Sequence, residues 1–435
     1  MTSSVANREG FPLSELVQLT AMVQEVILRE NSDLLRDARN SQRVRAVLRR
    51  RVDEILLTSG RVLGRLARTE LVEIISNEIA GYGPIEPLLQ EDSVCEIMVN
   101  GPNEVYIERH GHLQKTDIRF RDTAHLMEVI GRMIAPLGKR VDRSQPYADG
   151  RLPDGSRIHV IIPPLAVQGP LLTIRRFRGR HHDLPRLVQL GTLSPAMADF
   201  LARGVAARLN ILISGATASG KTTTLNALSA AIVPNTERIV TIEDAAELCL
   251  QHEHVVSLET RPPNVEGNGA TTMRDLLRNA LRMRPDRIIV GEVRGPEAFD
   301  MLHAMMTGHD GSLSTVHGNN SVDALVRIEN MVLMAGEGLP VSVARYQVAN
   351  AIDLVVHQVR FADGRRRVME IAAVAGYRAS GEELDKPPYQ LWPLFRYQNC
   401  VGQAEKESFC LLADGPPPQR LQEKLASRGA GDLFL

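Results

Sequence analysis

Residues 215–222 read Gly-Ala-Thr-Ala-Ser-Gly-Lys-Thr, a complete G-x-x-x-x-G-K-T loop with Thr223 directly behind it. The chemistry this spacing can do is to hold a chain of phosphates. Gly215 and Gly220 let the backbone turn tightly, so that amide N–H groups along Ala216, Thr217, Ala218 and Ser219 come within reach of phosphate oxygens. Lys221 is placed to reach β- and γ-phosphates as a mobile point charge, and the Thr222 hydroxyl to supply one ligand of a Mg²⁺ ion that otherwise keeps its waters. The apolar run from Leu209 to Ile213 predicts a buried strand before the loop. Lys221 to Ile232 predicts a helix after it, whose N-terminus favours negative charge. A glycine-rich turn that binds nothing is the competing reading, and the register of both glycines, the lysine and the threonine between strand and helix speaks against it.

Breaking a terminal phosphoryl bond asks a protein to position a water and to balance charge on the equatorial oxygens. Two apolar runs end in acids, Ile239 to Ile242 in Glu243 and Ile288 to Val290 in Gly291-Glu292. In a parallel sheet the C-terminal strand ends share an edge with the phosphate loop, so Glu243 and Glu292 are expected to converge there, one orienting water and the other serving the metal shell. A carboxylate that merely caps a strand is the plainer alternative. The polar segment Thr307 to His317 also ends a strand, and His317 suits a sensor of nucleotide or water, although a lone histidine is more often structural.

These residues need elements to carry them. Apolar positions between Pro12 and Ala80 recur at helical spacing and predict three helices, the second bearing an arginine stripe over residues 36–51. That stripe is either a solvated face or a contact with an anionic membrane surface or an acidic partner. Residues 81–177 read as α+β, with strands at Glu96–Val99, Glu104–Glu108, Ile118–Phe120, Arg157–Ile162 and Leu171–Phe177, a helix over Ala124–Leu137, and turns at Asp149-Gly150 and Asp154-Gly155. Residues 178–186 read as a linker. Over 187–376 strands alternate with helices, as a mostly parallel sheet covered by helices requires; Thr272 and Asp275 form a capping box for one helix, and Leu354–Phe361 with Arg365–Val374 form a hairpin. Residues 377–435 read as an extension, partly disordered and loosely held from Ala404 on.

The 435 residues suffice for two or three domains, and 43% hydrophobic content supplies their cores. Net charge is −1 and aromatics are 4%, which argues against a dedicated nucleic-acid binder. The four cysteines are scattered, so neither a zinc cluster nor a disulfide framework is expected. No leader pattern and no apolar span near 20 residues stands out, so a cytoplasmic chain is expected.

The order of phosphate loop, Ile242-Glu243-Asp244-Ala245-Ala246-Glu247, Val290-Gly291-Glu292-Val293-Arg294-Gly295 and Thr307 to His317 resembles the Walker A, Asp-box, Walker B and His-box segments of the secretion ATPases of type II and type IV systems and type IV pili. Gly83 to Leu89, Ile97 to Gly101 and Arg282 to Asp286 are most similar to the CpaF-type ATPases of tight-adherence (Tad) pili. The resemblance covers about residues 60–376. It implies a RecA-like phosphate-loop domain preceded by a smaller α+β domain and an N-terminal helical bundle, with ATP and Mg²⁺ held between the domains of a homo-hexamer. It implies a motor, peripheral to the inner membrane through its partners, that acts on an inner-membrane platform protein to assemble, and in an extended reading retract, a pilus. Carried over by position, Lys221 and Thr222 contact phosphate and Mg²⁺, Glu243 is the Asp-box acid, Glu292 the Walker B acid beside the metal, and His317 the His-box sensor. The resemblance also implies arginines set against the γ-phosphate, and Arg151, Arg157, Arg175 and Arg176 are the candidates. Glu292 stands where many phosphate-loop enzymes have aspartate, Gly318 where relatives often have alanine, and the tetracysteine module of the type II branch is absent. Arg274, Arg278 and Arg282 recur at helical spacing and are expected on a solvated face, with a subunit contact or the ring's interior as the alternatives. A type IV secretion ATPase, a RecA-like nucleic-acid motor and a non-hydrolysing scaffold are the competing readings.

Overall fold

The computed structural model describes residues 22, 46, 49–50, 53–54, 65–109, 111–176, 182–232, 237–261, 268–336, 338–378, 386–399, 407–411, 416–431 and 433. Apart from those isolated positions the first two predicted helices and the arginine stripe lie outside them, as do Phe177 of the predicted strand and residues 178–181 of the predicted linker. Of the stripe, Arg49 and Arg50 are described, and they pair with Glu73 and Glu54 at 2.7 and 3.1 Å. The chain forms two compact units that divide near residue 178.

The first unit comprises α1 (Arg65–Ala80), α2 (Glu86–Gln90), β1 (Val94–Asn100), β2 (Val105–Arg109), β3 (His112–Lys115), α3 (Thr123–Ile134), β4 (Tyr147–Arg151), β5 (Arg157–Ile161) and β6 (Leu171–Arg175). Its antiparallel sheet has the order β3-β2-β1-β6-β5-β4. Helix α3 starts where the Asp122 side chain accepts from His125 N–H, and it buries Leu126, Val129, Ile130, Met133 and Ile134, a single apolar face, in the same core as Val99, Ile158 and Leu172. Two expectations are corrected here. The third strand is His112–Lys115, not Ile118–Phe120. Its residues are exposed throughout, so no apolar alternation marks it, whereas Phe120 reaches the core from a loop. Asp149-Gly150 lies inside β4 rather than in a turn, because Gly150 is where Leu137 packs down on the strand: a Cβ there would meet Leu137 Cδ1 at 2.4 Å.

The second unit runs α4 (Leu184–Gln189), α5 (Pro195–Ala206), β7 (Ile211–Gly215), α6 (Lys221–Ser229), β8 (Ile239–Glu243), β9 (Val255–Glu259), α7 (Met273–Ala280), β10 (Arg287–Val290), α8 (Glu297–Met306), β11 (Leu313–Val316), α9 (Ser321–Leu333), α10 (Val341–Ala351), β12 (Leu354–Arg360), β13 (Arg366–Tyr377), β14 (Tyr389–Asn399), β15 (Glu407–Leu411) and α11 (Gln419–Ser427). Its sheet has the order β15-β14-β13-β12-β7-β11-β10-β8-β9. Neighbours from β12 across to β9 are parallel, and β13 to β15 add antiparallel. Strand β7 sits near the middle and is buried on both faces: Ile211 and Ile213 join the core on one side, Leu212 the core on the other. A continuous apolar run is what such a strand needs, each side chain contributing about 1.5–3 kcal/mol by burial. The capping box at Thr272 and Asp275 is present at the start of α7.

Leu184-Pro185 opens α4, with Asp183 as its N-cap, and Leu184 and Leu187 enter the core, so the predicted linker is helix from there on. The predicted loose tail is also corrected. Helix α11 buries Leu421 and Leu425, while its Lys424 lies 2.6 Å from the fully buried carboxylate of Asp353. Arg420 reaches the other oxygen of Asp353 at 2.9 Å. Prolines and charges made this stretch look unanchored, but its charges are partners of acids distant in sequence.

Candidate nucleotide-binding site

Because β7, β8, β10 and β11 are parallel, the loops after them share one edge of the sheet, and the sequence places its phosphate loop, two acids and histidine in those loops. The phosphate loop is held in a shape that few residues adopt. Gly220 begins α6 at φ 100°, open to glycine alone without strain, and Ala218 sits at φ 60°. A Cβ on Gly215 would meet Gln358 O at 2.2 Å, so the loop lies directly against β12. From β12 the buried Gln358 side chain donates to Ser219 O at 2.5 Å and accepts from the Thr224 hydroxyl at 2.7 Å. Arg366 on β13 donates from Nε to Ala218 O at 3.1 Å. The sequence reading missed both braces. Gln358 left one signal, a polar residue inside a run predicted to be a strand.

Lys221 is buried and donates from Nζ to Gly215 O at 3.2 Å and Ala216 O at 3.1 Å. It also lies 3.5 Å from His317 Nδ1. An ammonium has only protons to give, so Nδ1 accepts and the ring proton belongs on Nε2. Burial, then the charge of Lys221, pulls the His317 pKa below its usual value, so the ring is neutral at pH 7. Nε2 lies 2.8 Å from Glu292 Oε1, close but not aligned as a hydrogen bond, and among the described residues this buried oxygen has no hydrogen-bond donor. The other oxygen, Oε2, accepts from Arg294 Nε at 2.9 Å, and Arg294 Nη1 lies 3.6 Å from Asp244.

Glu243 and Glu292 therefore do stand at adjacent strand ends, since Ile242 and Val290 are register partners, but they face differently. Glu243 is buried and its oxygens accept from the backbone N–H groups of Glu247 at 2.9 Å and Leu248 at 3.0 and 3.2 Å. It fixes the loop after β8. Glu292 keeps an oxygen for an incoming donor.

That donorless oxygen is what a metal-bound water needs, and Thr222 sits half-buried in the first turn of α6. No cluster of three acidic, histidine or cysteine ligands occurs among the described residues. This donor set fits Mg²⁺, which keeps waters and leans on substrate phosphates rather than a protein cage. Bound there, the ion would neutralise charge on the phosphates.

In the first unit, Arg151, Arg157 and Arg175 face one another in register across β4, β5 and β6, with Glu96 of β1 opposite Arg175 as the next member of the row. Arg176 is otherwise engaged: its Nη1 donates to Glu91 O, and to Val94 O at 3.3 Å. That makes it a brace within its own unit. Arg274 and Arg278 both reach Asp300, at 2.7 and 3.2 Å, and tie α7 to α8. Gly318 leaves little room for the alanine expected there, since a Cβ would meet Ser214 Oγ at 2.6 Å.

A sheet with a phosphate loop on a central strand and acids and a histidine on neighbouring tips defines the α/β architecture of RecA-like phosphate-loop proteins. Within that class, the profile of the Type II/IV secretion system protein family matches residues 78–384, and the chain belongs to this family. It is 41% identical over 309 residues to a putative conjugal transfer protein of Mycobacterium tuberculosis, covering 70% of this chain and 87% of that one. It is 38% identical over 293 residues to the conjugal transfer protein TrbB of Rhizobium radiobacter, covering 67% and 86%. Among solved structures it is similar to the pilus retraction motor PilT with bound ADP, at 18% identity and a TM-score of 0.50 over 79% of this chain and 86% of that one, a likeness of fold. Among the described residues no helix is long and apolar enough to cross a membrane.

Proposed function

We propose that this protein is an ATP-hydrolysing motor, working with Mg²⁺ as a homo-hexamer at the cytoplasmic face of the inner membrane. The observation that carries the reading is the chain of contacts from the phosphate loop through Lys221 and His317 to Glu292, whose buried oxygen lacks a donor. In this reading Lys221 and the loop amides hold the phosphates and Thr222 serves the metal. Glu292 orients the metal-bound or attacking water, neutral His317 senses it, and Glu243 holds the Asp-box loop in place. The arginine row Arg151, Arg157 and Arg175 is the proposed source of a further cation for the γ-phosphate.

For the client we propose a Tad-type pilus platform protein, supported by the wording of Gly83 to Leu89 and Ile97 to Gly101. A type IV secretion client is the second reading, favoured by the names of the conjugal-transfer relatives. Purified protein is expected to release phosphate from Mg-ATP, and capture from membranes by the Glu292→Gln protein in ATP is expected to recover the platform protein. Recovery of conjugation-channel components instead would assign the second client. Strong stimulation by DNA with steep salt dependence would point to a nucleic-acid motor.

A further inference from the structure

Beside the phosphate loop lies an open cavity of about 580 Å³. One wall is Ala216 and Thr217 of the loop, a second is His317 to Asn319, and the third is the face of α9 that carries Asp323, Arg327 and Asn330. At roughly 30 Å³ per water it has room for a tetrahedral anion with its hydration. The charges around it are distributed unevenly. Lys221 is bound to two loop carbonyls, and Arg294 to Glu292 and Asp244. Arg327 is exposed on the third wall and makes no ion pair among the described residues, although Asp323 lies one turn before it on the same face. On a helix face an acid at i−4 is within reach of a surface arginine. Here it is left available, in a cavity it shares with the phosphate loop, and its charge is felt at His317.

We propose that this cavity is an anion subsite of the nucleotide site, which takes the terminal phosphoryl group of bound ATP and, after cleavage, orthophosphate, with Arg327 as its cation. The proposal rests on the ATPase reading. Arg327 offers a planar fork that matches a phosphate edge, Asn330 one turn further adds an amide donor, and Val326 keeps the wall between them partly apolar. Asp323 bears on the same wall and opposes a second anion, so the subsite favours release of orthophosphate once the bond to ADP is broken. ADP, which lacks the terminal group, does not reach Arg327.

The test compares wild type, Arg327→Gln and Arg327→Lys for affinity towards Mg-ATP and Mg-ADP and for inhibition by inorganic phosphate, with a thermal melt to confirm folding. Arg327→Gln is expected to weaken Mg-ATP about tenfold and raise the phosphate inhibition constant about tenfold, with Mg-ADP changed less than about twofold. Arg327→Lys is expected to recover part of both losses. Equal loss of ATP and ADP affinity, or no change in either variant, would overturn the subsite while leaving the ATPase reading intact. Absence of ATP binding by folded wild type would overturn that reading and this one with it.

Discussion

The two edges of the second sheet are built from the same strands by opposite rules. At the N-terminal ends, charges are buried and answered. Arg287 is fully buried, donates from Nε and Nη2 to Glu237, and reaches Gly311 O at 3.2 Å, while Arg208 lies 3.3 Å from the same acid. Asp353 accepts from Asn210 N–H at 2.8 Å as well as from Arg420 and Lys424. At the C-terminal ends, groups are left with capacity to spare: among the described residues Glu292 Oε1 has no hydrogen-bond donor and Arg327 no acid paired with it. One edge spends its charges on holding the sheet; the other holds them ready for a ligand. Mutations at the two edges should therefore separate stability from turnover.

The largest expected effect is at the answered edge. Arg287→Met leaves Glu237 buried with a single remaining partner and is expected to cost about 3–5 kcal/mol, read as a lower urea midpoint. ATP affinity of the folded fraction should not change. At the open edge, Lys221→Ala is expected to cut phosphate release on the order of 10²–10³-fold with little change in the melt. An equal loss of stability in both variants would erase the contrast. Gln358→Leu stands between them: it leaves Ser219 O and the Thr224 hydroxyl unanswered, and should cost about 1–3 kcal/mol, partly in stability and partly in ATP affinity. If affinity is untouched, β12 does not set the loop.

The smallest effect is in pH dependence. Burial alone would raise the Glu237 and Asp310 carboxyls, but Arg287 and Arg208 for the first, and Lys424 and Arg428 for the second, hold both below their ordinary values. With folded pKa depressed, the stabilisation is complete above about pH 4 and is lost as pH falls through the depressed values. Turnover should respond in a different window. His317, depressed from the ordinary histidine range by burial and then by Lys221, stays neutral at pH 7, so the rate should hold there and fall only as pH drops through the depressed value. A stability profile and a rate profile that move together would contradict the division of labour.

Much of the open edge was legible in the sequence, because its information is local. The parallel strands β7, β8 and β10 are largely apolar, and the phosphate loop, Glu243 and Glu292 follow them closely, while His317 follows β11, which is buried although it carries Ser314 and Thr315. What braces that edge was not legible, since Gln358 and Arg366 act on the loop from 139 and 148 residues away. The answered edge was missed for the same reason. Arg420, Lys424 and Arg428 recur every fourth residue in the stretch expected to be a loose tail, while their acids, Asp353 and Asp310, are brought to them only by the sheet. Exposed β3 shows the other limit: a strand with no buried face carries no pattern to read.

The most direct test of the account is Mg-ATP binding and phosphate release measured side by side on wild type and Glu292→Gln. The expected result is unchanged affinity with release lowered at least about a hundredfold, since the acid acts on the water and not on the nucleotide's grip. Equal turnover in the two proteins, or no affinity for Mg-ATP in either, would contradict it.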